Sequence, residues 1–411
     1  MLDLLSGIRV VSFNHFLLGP MGIQALGDLG ADVIAVEGPD GAWQRHWAGG
    51  NIFHDGQSAL HLCANRNKRN VAIDLKSHKG RELALRLIDT ADVVAENYRP
   101  GVMDKLGLGY EVLKARKPSL IYASASGYGP SGPYAEKPGQ DLLAQALFGM
   151  MAITGQAATG PRPAGASVID HHGAALFAMG ILAAVVRQKR TGQGCRVDAS
   201  LMQSALDLQA ESIVAWANAP ARPPGPQAFR HVAGWYFAAP YGVYATSDGH
   251  LAISLSPLSA LAKAIDEPRL ADYGDKDTWS KQDEITEMIA SKLAQATTAQ
   301  WTARMEPLKI WHAPVQGYAE ILDDPQVNHM QALMTVKGTG ATNAPVTLVN
   351  HPVHYDGASA SVRLAPQPLG AQTAEVLKEI GLSDGDITAL AREKIVTLHR
   401  ASAQAPAGEA S

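Results

Sequence analysis

The sequence predicts an α/β protein: a large parallel-sheet domain followed by a smaller α+β domain. Three observations lead there. Over the first 130 residues, short β-branched apolar runs alternate with segments of helical 3–4 spacing. Those runs are apolar throughout rather than on alternate residues, as strands are when helices cover both faces of a parallel sheet. Beyond residue 225 the pattern changes to a hairpin followed by helices.

In chain order, strands are expected at 8–13, 32–37, 71–75, 93–97 and 120–124. Helices are expected at 20–30, where Pro stands near the start and Gly near the end, and at 79–90. Long helices come next at 174–190 and 201–217. The stretch 219–227 is rich in Pro and Ala and reads as a linker. Strands at 241–246 and 250–255 flank Ser247-Asp248-Gly249, and helices are expected around 281–295 and 298–307. A return begins near 313–317. The domains therefore read as 1–218, then linker and small domain over 219–330, then a C-terminal return over 331–398. The tail over 399–411 is Ala/Ser-rich and expected to be disordered.

Composition narrows the function. Of 411 residues, 46% are hydrophobic and 18% charged, enough apolar material for a sizeable core. The net charge of -4 argues against binding nucleic acid through its phosphates. Two cysteines, Cys63 and Cys195, without CxxC spacing, fit a reduced, cytoplasmic protein with no disulfide framework or thiolate zinc site. Met1-Leu2-Asp3-Leu4-Leu5 has no basic n-region, so no signal peptide is expected. The longest apolar run, 174–186, falls short of the roughly 20 residues that span a bilayer, so no membrane is expected.

No G-x-G-x-x-G follows the first strand and no P-loop occurs, so a Rossmann-like sheet here does not imply a dinucleotide. Asp170 stands in Ser167-Val168-Ile169-Asp170-His171-His172-Gly173, just before the long apolar helix. At or near an N-cap, backbone N–H groups and the helix dipole favour an ionised carboxylate. Such an aspartate is most often a plain cap; it can also be a covalent nucleophile. The adjacent His171 and His172 lack a further ligand at a metal-site spacing, so no metal is expected. Gly127-Tyr128-Gly129 through Lys137-Pro138-Gly139-Gln140-Asp141 is a long loop after a strand, either a surface turn or a ligand loop. Asn65-Arg66-Asn67-Lys68-Arg69 precedes the strand expected at 71, and Arg99 and Lys105 come after another. Basic groups at strand ends suit a phosphorylated ligand, although a solvated charged face is the commoner use of such a cluster.

Taken together these segments resemble the class III CoA-transferases, the CaiB/BaiF or formyl-CoA transferase-like family. The resemblance rests on Val10-Val11-Ser12-Phe13 with His15 and Gly19-Pro20, and on Gly27-Asp28-Leu29-Gly30-Ala31-Asp32. It continues through Asn67-Lys68-Arg69-Asn70-Val71 with Asp74-Leu75-Lys76, and through Glu96-Asn97-Tyr98-Arg99-Pro100-Gly101. Gly132-Pro133-Tyr134, Asp170 and Arg190-Thr191-Gly192-Gln193-Gly194 complete it, over about residues 5–215, with a looser fit beyond.

The resemblance implies that Asp170 is the nucleophile. It would attack the donor thioester to give an aspartyl anhydride, then carry CoA as an aspartyl thioester until an acceptor carboxylate takes it. It implies a CoA site around His15, Lys68, Arg69, Asn97, Tyr98, Lys105 and Lys137, the basic members meeting phosphates and Tyr98 covering the adenine. It also implies an interlocked homodimer, with acyl-CoA and a small carboxylic acid as partners and no cofactor beyond the CoA thioester. Gln140 stands where some members carry Glu and the family's racemases carry His, and is expected to hydrogen-bond the carboxylate or an acyl oxygen as a neutral donor suited to a developing oxyanion. The run of glycines that covers the site in some transferases has only Arg230-His231-Val232-Ala233-Gly234 as its counterpart.

Other readings are an α-methylacyl-CoA racemase, a CoA-binding module without turnover, and a metal-dependent hydrolase. Racemisation needs two groups that exchange a proton with the α-carbon, and Gln140 does not titrate. Asp170 at the expected place argues against a mere binding module.

Overall fold

The computed structural model describes residues 2–156, 159–221 and 231–399. The expected linker from 222 on, Arg230 and the tail from 400 lie outside the described residues. The chain divides into two compact units. The first takes the chain up to Asp141, Val168–Ser204, and the described residues from Pro325 on; the second takes Leu142–Ser167 and Ala205–Asp324.

The first unit is built on six parallel strands: β1 (Arg9–Phe13), β2 (Asp32–Glu37), β3 (Lys68–Ile73), β4 (Val93–Glu96), β5 (Ile121–Ser126) and β6 (Arg196–Ser200). Their order is β6-β5-β4-β1-β2-β3, with Val396–Thr397 added antiparallel at the β3 edge. Val10 of β1 stands level with Val33 of β2 and Val93 of β4. All three are buried, as are Val11, Phe13, Ile34 and Ile73. Each such side chain contributes about 1.5–3 kcal/mol by leaving water. The expected mixed α/β architecture with a parallel central sheet is therefore present, with smaller sheets beside it.

Three helices pack against this sheet: α1 (Leu18–Asp28), α2 (His78–Asp89) and α3 (Val168–Thr191). α2 is capped by Ser77 and buries Leu83, Ala84, Leu87 and Ile88 in the sheet's core. α3 is longer than its apolar run suggested. With 24 residues, it is long and apolar enough to cross a membrane by length and composition alone. It lies instead against α1, β5 and β6, and buries Phe177 and Ile181 there.

Three features depart from the sequence expectation. β3 starts at Lys68 rather than 71, which draws the basic cluster into the sheet. The helix expected over 201–217 is broken at Gln209, whose amide donates to the carbonyls of Ala205 and Phe148. Strand β6, the hairpin Leu333–Lys337 with Pro345–Val349, and the helices Thr373–Glu379 and Asp384–Arg392 carried no expectation, because their patterns are short and mixed.

The second unit holds an antiparallel sheet of Gly242–Ala245, His250–Ile253 and His312–Pro314 around the expected turn. Gln282–Leu293 and Thr298–Met305 pack on it, with Tyr244, Leu251, Ile285, Ile289 and Trp301 in the core. The return to the first unit comes at Pro325.

Candidate active site

The strand order reverses between β1 and β4, and open parallel sheets bind ligands in the crevice at the carboxyl ends of such a pair. The chain that leaves β1 brings Asn14, His15 and Phe16, and the chain that leaves β4 brings Asn97 and Tyr98. The two turns lock together. Asn97 accepts the His15 backbone N–H through Oδ1 and donates to the His15 carbonyl through Nδ2, both at 2.8 Å. The His15 ring meets the Tyr98 ring edge-on at 5.1 Å. Burial holds the His15 imidazole below its ordinary pKa, outweighing its hydrogen bond to the Asn97 backbone.

α1 starts directly behind this turn. Gly19 lies so close to Asn14 and Asn97 that a Cβ there would stand 2.9 Å from Asn97 Cγ. α3 approaches the same helix end. A Cβ on Gly173 would be 2.6 Å from Leu18 Cδ1, so the glycine lets the two helices touch. This close approach sets Asp170 against the N-terminus of α1, where its carboxylate accepts the Leu18 backbone N–H.

Asp170 lies near the N-cap, as its sequence window suggested, but inside the helix rather than at the cap itself. It lies inside the first turn of α3, and the cap comes from elsewhere in the chain. Buried Asp141 Oδ2 accepts the backbone N–H groups of Ile169 at 2.8 Å and Asp170 at 2.9 Å. Ser204 Oγ donates to the Ile169 carbonyl at 2.8 Å. The Asp170 backbone is thus fixed while its half-buried carboxyl stays directed at α1. Burial pushes its pKa up, the nearby Asp141 charge adds to this, and the Leu18 N–H opposes both; the outcome is about 7.

The other expected residues separate into three groups. His15, Asn97 and Tyr98 come together at the switch point. Lys105 is exposed on the short helix Val102–Lys105 that comes next in the chain. Lys137 is exposed, its Nζ 3.8 Å from the centre of the Tyr134 ring. Gln140 is exposed and immediately precedes the capping Asp141. Its loop is held to the end of β5 by Gly127 and Gly139, whose Cα atoms leave no room for a side chain between them.

Lys68 and Arg69 are placed differently, and the expectation that they meet phosphates is corrected. Lys68 is 2% exposed, and its Nζ donates to the Pro20 carbonyl at 2.7 Å, the Ala64 carbonyl at 2.6 Å and Asn65 Oδ1 at 3.0 Å. All three ammonium hydrogens are used within the protein, and burial lowers its pKa to about 7. Arg69, on the other face of β3, is ion-paired with Asp32 at 2.7 Å and Glu375 at 2.9 Å, and also with Glu379. It ties the sheet to the helix Thr373–Glu379. The physical reason is the early start of β3, since residues inside a strand alternate between buried faces.

Two contributions escaped the sequence reading, the capping of α3 by Asp141 and the Leu18 N–H. Asp141 reads locally as the start of its own helix, Asp141–Leu147, and nothing in the sequence links it to residues 169–170. The Leu18 N–H is a backbone group with no sequence signature.

The model for "CoA-transferase family III" matches residues 5–373. The succinyl-CoA:mesaconate CoA-transferase of Haloarcula hispanica is 33% identical over 402 residues, covering 93% of this chain and 97% of that protein. The succinyl-CoA:glutarate CoA-transferase of Mus musculus is 30% identical over 385 residues, with 92% and 86% covered. The crystal structure of a CAIB/BAIF family protein from Brucella suis superimposes with a TM-score of 0.81 at 28% identity, covering 92% of this chain and all of that one. By its sequence along nearly its whole length and by its fold, this chain belongs to CoA-transferase family III and is a CoA-transferase.

Proposed function

We propose that the enzyme moves CoA from a dicarboxylic acyl-CoA, of the succinyl-CoA class, to a second small carboxylic acid, with Asp170 as the covalent carrier. The observation that carries this reading is the placement of Asp170: a fixed backbone, a half-buried carboxyl, and one N–H donor at a helix N-terminus. The dicarboxylic donor rests on the names of the two relatives.

The steps balance without a cofactor. The Asp170 carboxylate attacks the thioester carbon, the C–S bond breaks, and CoA thiolate leaves an aspartyl anhydride. The thiolate attacks the aspartyl carbonyl, expelling the donor acid and leaving aspartyl-CoA. The acceptor carboxylate then displaces the thiolate, which attacks the acceptor side of the new anhydride and frees Asp170. A carboxylate with a pKa near 7 is more basic, hence a better nucleophile, than an ordinary aspartate, and about half of it is ionised at neutral pH.

His15, Asn97 and Tyr98 receive the CoA moiety, Lys105 and Lys137 meet its phosphates, and Gln140 donates to the oxyanion. The enzyme works as an interlocked cytoplasmic homodimer. The apolar side chains left exposed on α3, Met179 at 60% and Val186 at 57%, are consistent with a further covering surface.

The test is mass spectrometry of peptides after incubation with succinyl-CoA and no acceptor. A CoA or succinyl adduct on the peptide that carries Asp170 is the expected result. An adduct confined to another residue would overturn the assignment.

A further inference from the structure

Glu96 is the last residue of β4, one residue before the turn that meets His15. Its carboxyl is buried, 6% exposed, at the carboxyl end of the sheet. Oε2 accepts the Tyr98 backbone N–H at 2.8 Å. The Ser124 hydroxyl bonds it from β5, and the Tyr122 hydroxyl does so as well. The titratable and charged groups that face it are Tyr122 from β5, Arg196 and Asp198 from β6, and Tyr98 on its own turn; β1 brings Phe13 alongside. Arg196 is paired with Asp198 at 2.9 Å and acts on Glu96 only through its charge, so among the described residues no salt bridge reaches Glu96.

Buried acids without an ion-pair partner are costly, and this one is held at the root of the candidate binding turn. Its contacts run in sequence toward the nucleophile. Glu96 holds the Tyr98 N–H, Asn97 exchanges two hydrogen bonds with His15, and Asn97 packs on Gly19, next to the Leu18 N–H that holds Asp170.

We propose that Glu96 is a positioning residue: it sets the Asn97–Tyr98 turn for the acyl-CoA, and its ionised form holds that turn for binding. This rests on the functional reading above. All three partners of Glu96 are neutral donors or hydroxyls, so the site accommodates both protonation states. The anion makes the stronger, charge-assisted bond to the Tyr98 N–H. Burial first of all raises the Glu96 pKa, to about 7, which puts the change of grip in the neutral range. Affinity for the thioester therefore rises with pH through that range.

The experiment measures binding of a thioether analogue of succinyl-CoA, which cannot react, to the full-length protein at pH 5.5 and pH 8. Wild type, Glu96→Gln, Glu96→Ala and Asp170→Ala are compared. Glu96→Gln keeps the shape and an acceptor for Tyr98 but cannot ionise. It should bind as wild type does at pH 5.5 and more weakly at pH 8 by about three- to tenfold, the worth of a charge-assisted over a neutral hydrogen bond. In turnover its KM should rise more than its kcat falls. Glu96→Ala should bind weakly at both pH values. If Glu96→Gln keeps wild-type affinity and its pH dependence, Glu96 is merely structural and the inference falls. If wild type and Asp170→Ala both fail to bind the analogue, the CoA reading itself falls.

Discussion

Asp141 holds Asp170 by the backbone: one carboxylate oxygen, Oδ2, takes the Asp170 N–H at 2.9 Å and that of its neighbour Ile169 at 2.8 Å. The same carboxylate is the second-largest cause of the raised Asp170 pKa, after burial. One residue therefore fixes the candidate nucleophile in space and raises its basicity.

Removing the candidate nucleophile separates chemistry from fold. Asp170→Ala should lower transfer by at least about 10³-fold, since the covalent route is lost. Its circular dichroism should stay that of wild type, because Asp141 still caps α3 through backbone groups. In the wild type, kcat should rise with pH along a limb near 7 as Asp170 ionises. A flat profile between pH 5.5 and 8.5, with chemistry limiting, would contradict this.

The same shift has a stability consequence. The folded-state pKa of Asp170, about 7, lies above the ordinary 3.8, so the folded protein binds that proton more tightly than the unfolded chain. The contribution is present below pH 3.8 and is lost as pH rises through 7. Asp170→Asn should therefore melt higher than wild type at pH 8, with the gap closing towards pH 4. Equal melting temperatures across this range would show that the carboxyl is not destabilised.

Asp141 can be split into its two roles. Asp141→Asn keeps an acceptor for the two N–H groups but removes the charge. The acidic limb of the kcat profile should move to lower pH, with little change in melting temperature. Asp141→Ala removes the cap as well and should cost about 1–2 kcal/mol in urea titration.

The basic residues divide by position. Arg69→Ala should destabilise the fold by about 1–3 kcal/mol through loss of its carboxylate partners, and leave the KM for acyl-CoA unchanged. Lys68→Ala should be still more damaging, because three buried acceptors lose their donor. Lys105→Ala and Lys137→Ala should do the reverse, raising KM a few-fold at constant stability. Steady-state kinetics beside chemical denaturation reads both.

Light scattering at low micromolar concentration should give twice the mass of one 43.5 kDa chain. A folded, active monomer would remove the proposed interlocking.

Much of this protein was legible in its sequence because the signals are local. Continuous apolar runs such as 32–37 and 93–97 place strands, and 3–4 spacing with Ser77 ahead of it places α2, each within a few residues of the observed bounds. The window of Asp170 read most often as a plain cap, and it was the spaced motifs, pointing to the family, that singled it out. Tertiary structure decided what those residues experience. Lys68 and Arg69 look alike in sequence, yet adjacent positions on a strand face opposite sides. One gives its hydrogens to Pro20, Ala64 and Asn65, and the other reaches Asp32 and the C-terminal helix. Asp141 and Asp170 lie 29 residues apart and meet only in the folded chain, while α3 reaches α1 through Gly173. Periodicity reports which face of an element is apolar. Which distant carboxylate, carbonyl or helix end a polar group then meets depends on packing, and packing sets the desolvation and charge that give Asp170 a pKa near 7.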